Sequence, residues 1–296
     1  MPSFTDDNLL PVHNGAGLKK GLLSQLANYL GTKFSNPNLL INPDFKINQR
    51  GETSYTSAVA QTIKIVYSVD RWCLYGHSLT VNSDKSVTIT PTTYSNGALI
   101  QNLETPVDGD ITVQVYAVGV SGTATVSVGP SDGSSTTEIG TLKNGLNTFT
   151  FSKGIKRLVI RVKSGTLTLK YAKVEQGSVA TPFVTPNPAE ELMKCKRFFY
   201  VSSKTLLGYG IGEKVFIMST EIMNMRDVGT VYIFKSELEN YIRYEGHAER
   251  IILNVDNFAI STTMGYIRIT LGNRLVDSKV VALDLNSTIT IDAEIY

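Results

Sequence analysis

The chain has 296 residues, with 28 lysines and arginines against 26 acidic residues for a net charge of +2. That balance excludes a generally basic surface for nucleic acid, and no apolar run approaches the about 18 residues of a membrane-spanning helix. Only Cys73 and Cys195 are present, too few to staple a small secreted scaffold, so both are expected to be reduced and buried. The length suits two domains, each with its own apolar core. Acidic Asp6-Asp7 stands where a secretory leader needs positive charge, so the product is expected to start in the cytoplasm.

Leu18, Leu22, Leu26 and Leu30, with Leu23 and Ala27 beside them, predict a short N-terminal helix ended by Gly31. A helix of about 13 residues is marginal alone, so its stripe should dock on itself, on another protein or on the following domain. From Asn38 to Phe183 the period becomes two, as in Ile111 to Ala117 and Leu158 to Val162, which predicts half-buried antiparallel strands. Asn144-Gly145 predicts a tight hairpin and Ser164-Gly165 a second one, because these residues tolerate positive φ. The pattern is that of a two-sheet antiparallel sandwich, a jelly roll.

Pro182, Pro186 and Pro188 mark a linker, after which Asn187 as cap, Pro188 at the first position and Glu190 in a capping box predict a helix running to about Phe199. A second, smaller β-domain follows, with strands at 215–218, 230–234, 251–253, 266–270 and 287–295. Gly208-Tyr209-Gly210-Ile211-Gly212 lacks the helix and the Lys-Ser or Lys-Thr ending of a phosphate loop and reads as a flexible loop. The expected domains are residues 1–36, 37–185 and 186–296, mainly β with a short N-terminal and a short linker helix.

No enzyme is expected. His13, His77 and His247 are scattered, no Ser or Cys sits in a nucleophile turn, and no zinc or calcium motif is present. Lys153, Lys156, Arg157, Arg161 and Lys163 surround one strand and read as a solvated face. Trp72 is read as core, with Asp70 and Arg71 as a neighbouring ion pair. Sugar recognition needs an aromatic surface beside polar groups, for which Tyr116, by alternation, and Tyr94, near Asn96 and Gln101, are candidates. Tyr232, Tyr244 and Arg243 bring the Tyr-and-Arg chemistry of binding surfaces, or of contacts between subunits, to the last domain.

Four segments share an order and spacing: Asn38-Leu39-Leu40-Ile41-Asn42-Pro43-Asp44-Phe45-Lys46-Ile47-Asn48-Gln49-Arg50-Gly51, Asp70-Arg71-Trp72, Val174-Glu175-Gln176-Gly177 through Pro182-Phe183, and Glu190-Glu191-Leu192 through Phe198-Phe199. Together they resemble tail-fibre and receptor-binding proteins of tailed bacteriophages. The resemblance implies a carbohydrate-binding-module-like sandwich whose first and last segments meet, pairing Leu40-Ile41 with Lys173-Val174. It implies a non-enzymatic virion tail protein, assembled in the host cytoplasm, that attaches to a host cell-surface polysaccharide with its C-terminal tip. The N-terminal segment would join other phage tail proteins, and the assembly would be a homotrimer without nucleic-acid partner or membrane insertion. No cofactor is expected beyond a structural calcium, for which Asn42, Asp44 and Glu175 would supply oxygens. The alternative is a structural virion component, in baseplate, collar or head fibre, whose sandwich packs against its neighbours.

Overall fold

The computed structural model describes residues 35–57, 65–92, 97–130 and 134–201, and elsewhere the backbone of the strands named below. The chain divides into two units. One gathers Met1–Phe45, Thr53–Val66 and Trp72–Pro186, the other Lys46–Glu52, Tyr67–Arg71 and Asn187–Tyr296.

At the start, β1 (Leu9–His13) pairs antiparallel with β2 (Leu18–Leu22), Leu9 opposite Leu22 and His13 opposite Leu18. The predicted helix is therefore absent from Leu18 to Leu22, and its remainder lies outside the described residues. Gly21 costs a helix about 1 kcal/mol against alanine, and Leu9 to His13 offers a strand to pair with, which outweighs a marginal helix.

The first unit is an antiparallel sandwich. Its strands are β3 (Ser54–Thr56), β4 (Val66–Tyr67), β5 (Cys73–Tyr75), β6 (His77–Val81), β7 (Val87–Pro91), β8 (Ala98–Val107), β9 (Ile111–Pro130), β10 (Thr137–Thr141), β11 (Gly145–Phe151) and β12 (Ile155–Gln176). One layer runs β3-β6-β7-β12-β9-β11 and the other β5-β8-β12-β9-β10. The long strands β9 and β12 thus serve both layers. They bend where Gly122 faces Gly165, beside a register shift between Val162 and Ser164. A Cβ on Gly165 would lie 1.7 Å from the Ser121 carbonyl oxygen, so the two backbones can meet only at glycine.

Both predicted hairpins are corrected by this geometry. Ser164-Gly165 is a bend within β12, and Asn144-Gly145 carries the chain from one layer to the other, because β10 and β11 each pair with a different half of β9. Gly145 does have positive φ, +94°, as the turn reading required. Asn144 Oδ1 accepts from the Val120 N–H at 2.7 Å, closing the corner. Positive φ identifies a turn but not the strands it joins.

Alternation fills the core. Ile111, Val113, Val115 and Ala117 point inward from β9, and Leu158, Ile160, Leu167, Leu169, Ala172 and Val174 from β12. Each large side chain buried here contributes roughly 1.5–3 kcal/mol. Trp72 is wholly buried; its Nε1 donates to the Asn42 carbonyl at 2.8 Å, and its ring meets Phe45 at 5.0 Å. His77 is buried as well: Nε2 accepts from the Val162 N–H at 3.2 Å, so Nδ1 carries the proton and donates to the Gly76 carbonyl at 2.8 Å. The ring thereby satisfies the backbone donor at the register shift.

First and last segments meet, one residue from the predicted register. Leu39 N donates to Val174 O at 2.8 Å, and the Asn38 amide bridges Ala172 O and Val174 N. Ile41 instead pairs with the Gln101 side chain, which accepts from its N–H and donates to its carbonyl, both at 2.8 Å. The chain enters at Ser35 and leaves at Pro182, where Ser35 Oγ donates to Pro182 O at 2.7 Å.

In the second unit, α1 (Pro188–Lys196) is capped by Asn187, whose Oδ1 accepts from Ala189 N at 2.9 Å, with Glu190 and Glu191 in the first turn. The helix stops three residues short of the predicted end because Phe199 starts β13 (Phe199–Ser202). The remaining strands are β14 (Leu206–Ile211), β15 (Lys214–Met218), β16 (Thr230–Ile233), β17 (Asn240–Tyr244), β18 (His247–Ile251), β19 (Ala259–Ser261), β20 (Tyr266–Thr270), β21 (Lys279–Asp284) and β22 (Ile289–Asp292). They form antiparallel sheets ordered β13-β22-β16 and β18-β17-β21-β14-β15-β20-β19. The glycine-rich 208–212 segment, read as a loop, lies mostly in β14, paired on both sides. Leu207, Tyr209 and Ile211 alternate with Gly208 and Gly210, a period-two pattern that the glycines obscured.

Shared motif residues converge in this unit. Asp70 accepts from Gln49 N at 2.7 Å and Gln49 Nε2 at 3.1 Å, and Gln49 Nε2 also donates to Phe199 O at 2.7 Å. The Arg50 guanidinium lies 3.7 Å from the Phe199 ring centre and that of Arg71 3.7 Å from Phe198. Asp70 has an ion partner that the sequence did not suggest, Arg50, at 3.9 Å. Arg71 has φ +71°, which turns its side chain toward Phe198 rather than along the chain.

Candidate functional site

The non-core face of the β12-β9-β11 layer carries the candidate site. Along β12, Tyr171, Lys173 and Glu175 share this face, and across it stand Tyr116, Gln114 and Thr112 of β9. Leu146, Thr148 and Thr150 of β11 face Tyr116, Gln114 and Thr112 in register. Tyr116 and Tyr171 stack 5.3 Å apart and 9° from parallel; Phe183 stacks on Tyr171 at 4.0 Å and 9°. All three rings are half-buried, and beside Tyr116 the side chains of Leu146 and Val118 are 54% and 46% exposed. Burial pushes the Tyr171 phenol above its ordinary value of 10, with the Tyr116 phenol adding to the rise.

The strap bearing Phe183 is held by a buried polar network. Lys173 Nζ lies 3.1 Å from Glu175 Oε2, both side chains at most 1% exposed. It also donates to Thr181 Oγ1 at 2.6 Å and to Ser35 Oγ, Thr181 O and Pro182 O, each at 3.1 Å. Glu175 Oε1 accepts from Thr181 N at 2.8 Å and Gln114 Nε2 at 3.0 Å, while Oε2 accepts from the Thr181 hydroxyl. Removing one member of a buried pair of this kind costs about 3–5 kcal/mol, because the other charge is left without compensation.

Of the residues singled out in the sequence, Tyr116 stands on this face, and Tyr94 lies outside the described residues. Tyr232 belongs to β16, and Arg243 and Tyr244 to β17, so they fall in different sheets. Of the calcium candidates, Asn42 is fully buried and its carbonyl receives Trp72 Nε1, Asp44 is nearly buried, and Glu175 holds Lys173. A calcium ion on Glu175 would have to displace that ammonium. Among the described residues, no cluster of three or more His, Cys, Asp or Glu side chains is arranged to hold a metal. Of the basic cluster, Lys163 pairs with Glu138 at 2.8 Å on the surface, whereas Arg157 is half-buried and donates to Thr136 Oγ1 at 3.2 Å. Sequence reading missed Tyr171, Phe183 and the Lys173–Glu175 pair. The signal present was Tyr, Lys and Glu at alternate positions ahead of Gly177 and Thr181-Pro182-Phe183.

No protein-family model matches the chain, and no curated protein matches it. Among solved structures, a family 29 carbohydrate binding module matches at 16% identity and a TM-score of 0.29, covering 44% of this chain and 89% of its own. A tandem pair of family 22 carbohydrate binding modules from Paenibacillus barcinonensis matches at 8% identity and a TM-score of 0.30, covering 87% and 89%.

Proposed function

We propose that the sandwich is a non-enzymatic glycan-binding module whose ligand lies on the face of Tyr116, Tyr171 and Phe183. The stacked rings carry this reading. Their exposed edges, with Leu146 and Val118, offer apolar contact to a sugar ring, and the phenols with exposed Thr148 and Thr150 offer hydroxyl partners. The wider reading is a phage tail-fibre or receptor-binding protein, attached through residues 1–36 and contacting a host polysaccharide as a homotrimer. Its support is that Gln49, Arg50, Asp70, Arg71, Phe198 and Phe199, drawn from three of the shared motifs, interlock as one cluster rather than standing as scattered matches. In a trimer, weak sites would gain strength from effective concentration.

The test is electrophoresis through gels containing neutral polysaccharides such as xyloglucan, galactomannan and hydroxyethyl cellulose. Retardation that is lost in Tyr116→Ala and Tyr171→Ala supports the reading; equal mobility of wild type with and without every polysaccharide overturns it. Light scattering addresses the assembly, where a mass near three times 32.4 kDa is expected. Exposed Val118 and Leu146 also favour a second reading, a structural virion component that covers this face on assembly.

A further inference from the structure

The strap after Gly177 has little to hold it by hydrophobic means. Val179 and Val184 are exposed, Val184 by 64%, and among the described side chains of 178–184 only Thr181 is buried, with Phe183 half-buried. The strap runs beside β12 in register: Phe183 over Tyr171, and Thr181 over Lys173 and Glu175. Around Lys173 Nζ, the oxygens of Ser35, Glu175, Thr181 and Pro182 at 2.6–3.1 Å provide more acceptors than an ammonium has protons. That is the surrounding of a bound cation, supplied by the chain itself.

We infer that the Lys173 ammonium acts as a built-in cation that clamps Thr181 to the sheet and so positions Phe183 on Tyr171, completing the ligand face. Lys173, Glu175 and Thr181 are positioning residues; none of them need touch the sugar. The inference rests on the glycan reading for its purpose, but the clamp itself is measurable without any ligand.

The experiment compares Lys173→Met, Thr181→Val and Phe183→Ala in the full-length chain. Thr181→Val keeps the Lys173–Glu175 pair and guards against a Lys173→Met chain that fails to fold, which far-ultraviolet circular dichroism detects. Tyr171 ionisation is followed by NMR of tyrosine labelled at Cζ, assigned with Tyr171→Phe, and affinity by retardation in gels of hydroxyethyl cellulose, xyloglucan or galactomannan. Losing the ring above it should return Tyr171 toward ordinary tyrosine behaviour in Phe183→Ala, and the clamp variants should move it the same way. Retardation should weaken at least tenfold in all three. If Tyr171 moves in Phe183→Ala but stays in place in every folded clamp variant, the clamp is wrong. If the clamp variants move Tyr171 while retardation is unchanged, or no gel retards the wild type, the clamp stands and the glycan reading falls.

Discussion

Gly122 and Gly165 face each other at the bend of β9 and β12, each with positive φ, +87° and +73°. A Cβ on Gly165 meets backbone 1.7 Å away, whereas one on Gly109, φ +83°, meets nothing within 4 Å. Gly109→Ala should therefore cost only the conformational term, about 1–2 kcal/mol. Gly165→Ala adds a backbone clash at a site where φ is already unfavourable, and should cost about 3 kcal/mol or more. Urea denaturation of both variants checks this, and equal losses would show that the close approach is unimportant.

His77 gives the sandwich a pH dependence of definite sign. Burial chiefly, and secondarily the nearby Arg161 charge, lower its pKa below the ordinary 6.5, against the opposing bond to Gly76. A base held neutral when folded takes up its proton more readily when unfolded. Its stabilising contribution is full above about pH 6.5 and declines as the pH falls from there toward the folded value. His77→Gln should be less stable than wild type at pH 8, and the gap between them should narrow by pH 5 in denaturant titrations. A gap independent of pH would refute the assignment.

Asp70 has the opposite sign. Burial raises its pKa above 3.8, outweighing the Gln49 N–H, the Arg50 charge and the Gln49 side chain. It therefore favours the folded state increasingly as the pH falls through its folded value toward 3.8, and that contribution is lost as the pH rises. Its bonds nevertheless matter at neutral pH: Asp70→Ala strands the Gln49 donors and should cost about 2–4 kcal/mol, while Asp70→Asn, which keeps one acceptor, should cost less. Thermal melting of the pair ranks them.

Much of the sandwich was legible because burial on a sheet has period two. The inward side chains of Ile111 to Ala117 and of Leu158 to Val162 followed from that, and the burial of Trp72 from its large apolar surface, although Thr112, Gln114 and Val159 on the other face are buried too. The bend was not, since Ser164-Gly165 has the same composition whether the chain turns back or continues past a close backbone. Nor was the clamp: Lys173 and Glu175 do point away from the core, as alternation requires, but the strap that covers them comes from residues lying beyond the strand. On the face itself, Tyr116 was recoverable from alternation, whereas its partnership with Tyr171 depends on strand register. The shifts between Thr168, Leu169 and Tyr171 set that register and leave no trace in composition.

Asn187 caps α1 through its side chain, so Asn187→Ala should destabilise the second unit by about 1 kcal/mol and Asn187→Gly by a few tenths. Hydrogen exchange at Ala189, whose amide loses its acceptor, is the local readout. Unchanged protection there would mean that another group satisfies the amide.

The clasp between Ser35 and Pro182 bears on mechanics. Ser35 and Pro182 adjoin, so tension applied between these two points is taken first by the contacts of 35–39 with 172–182 and not by the long strands. The body of the sandwich would stay undeformed while that clasp holds.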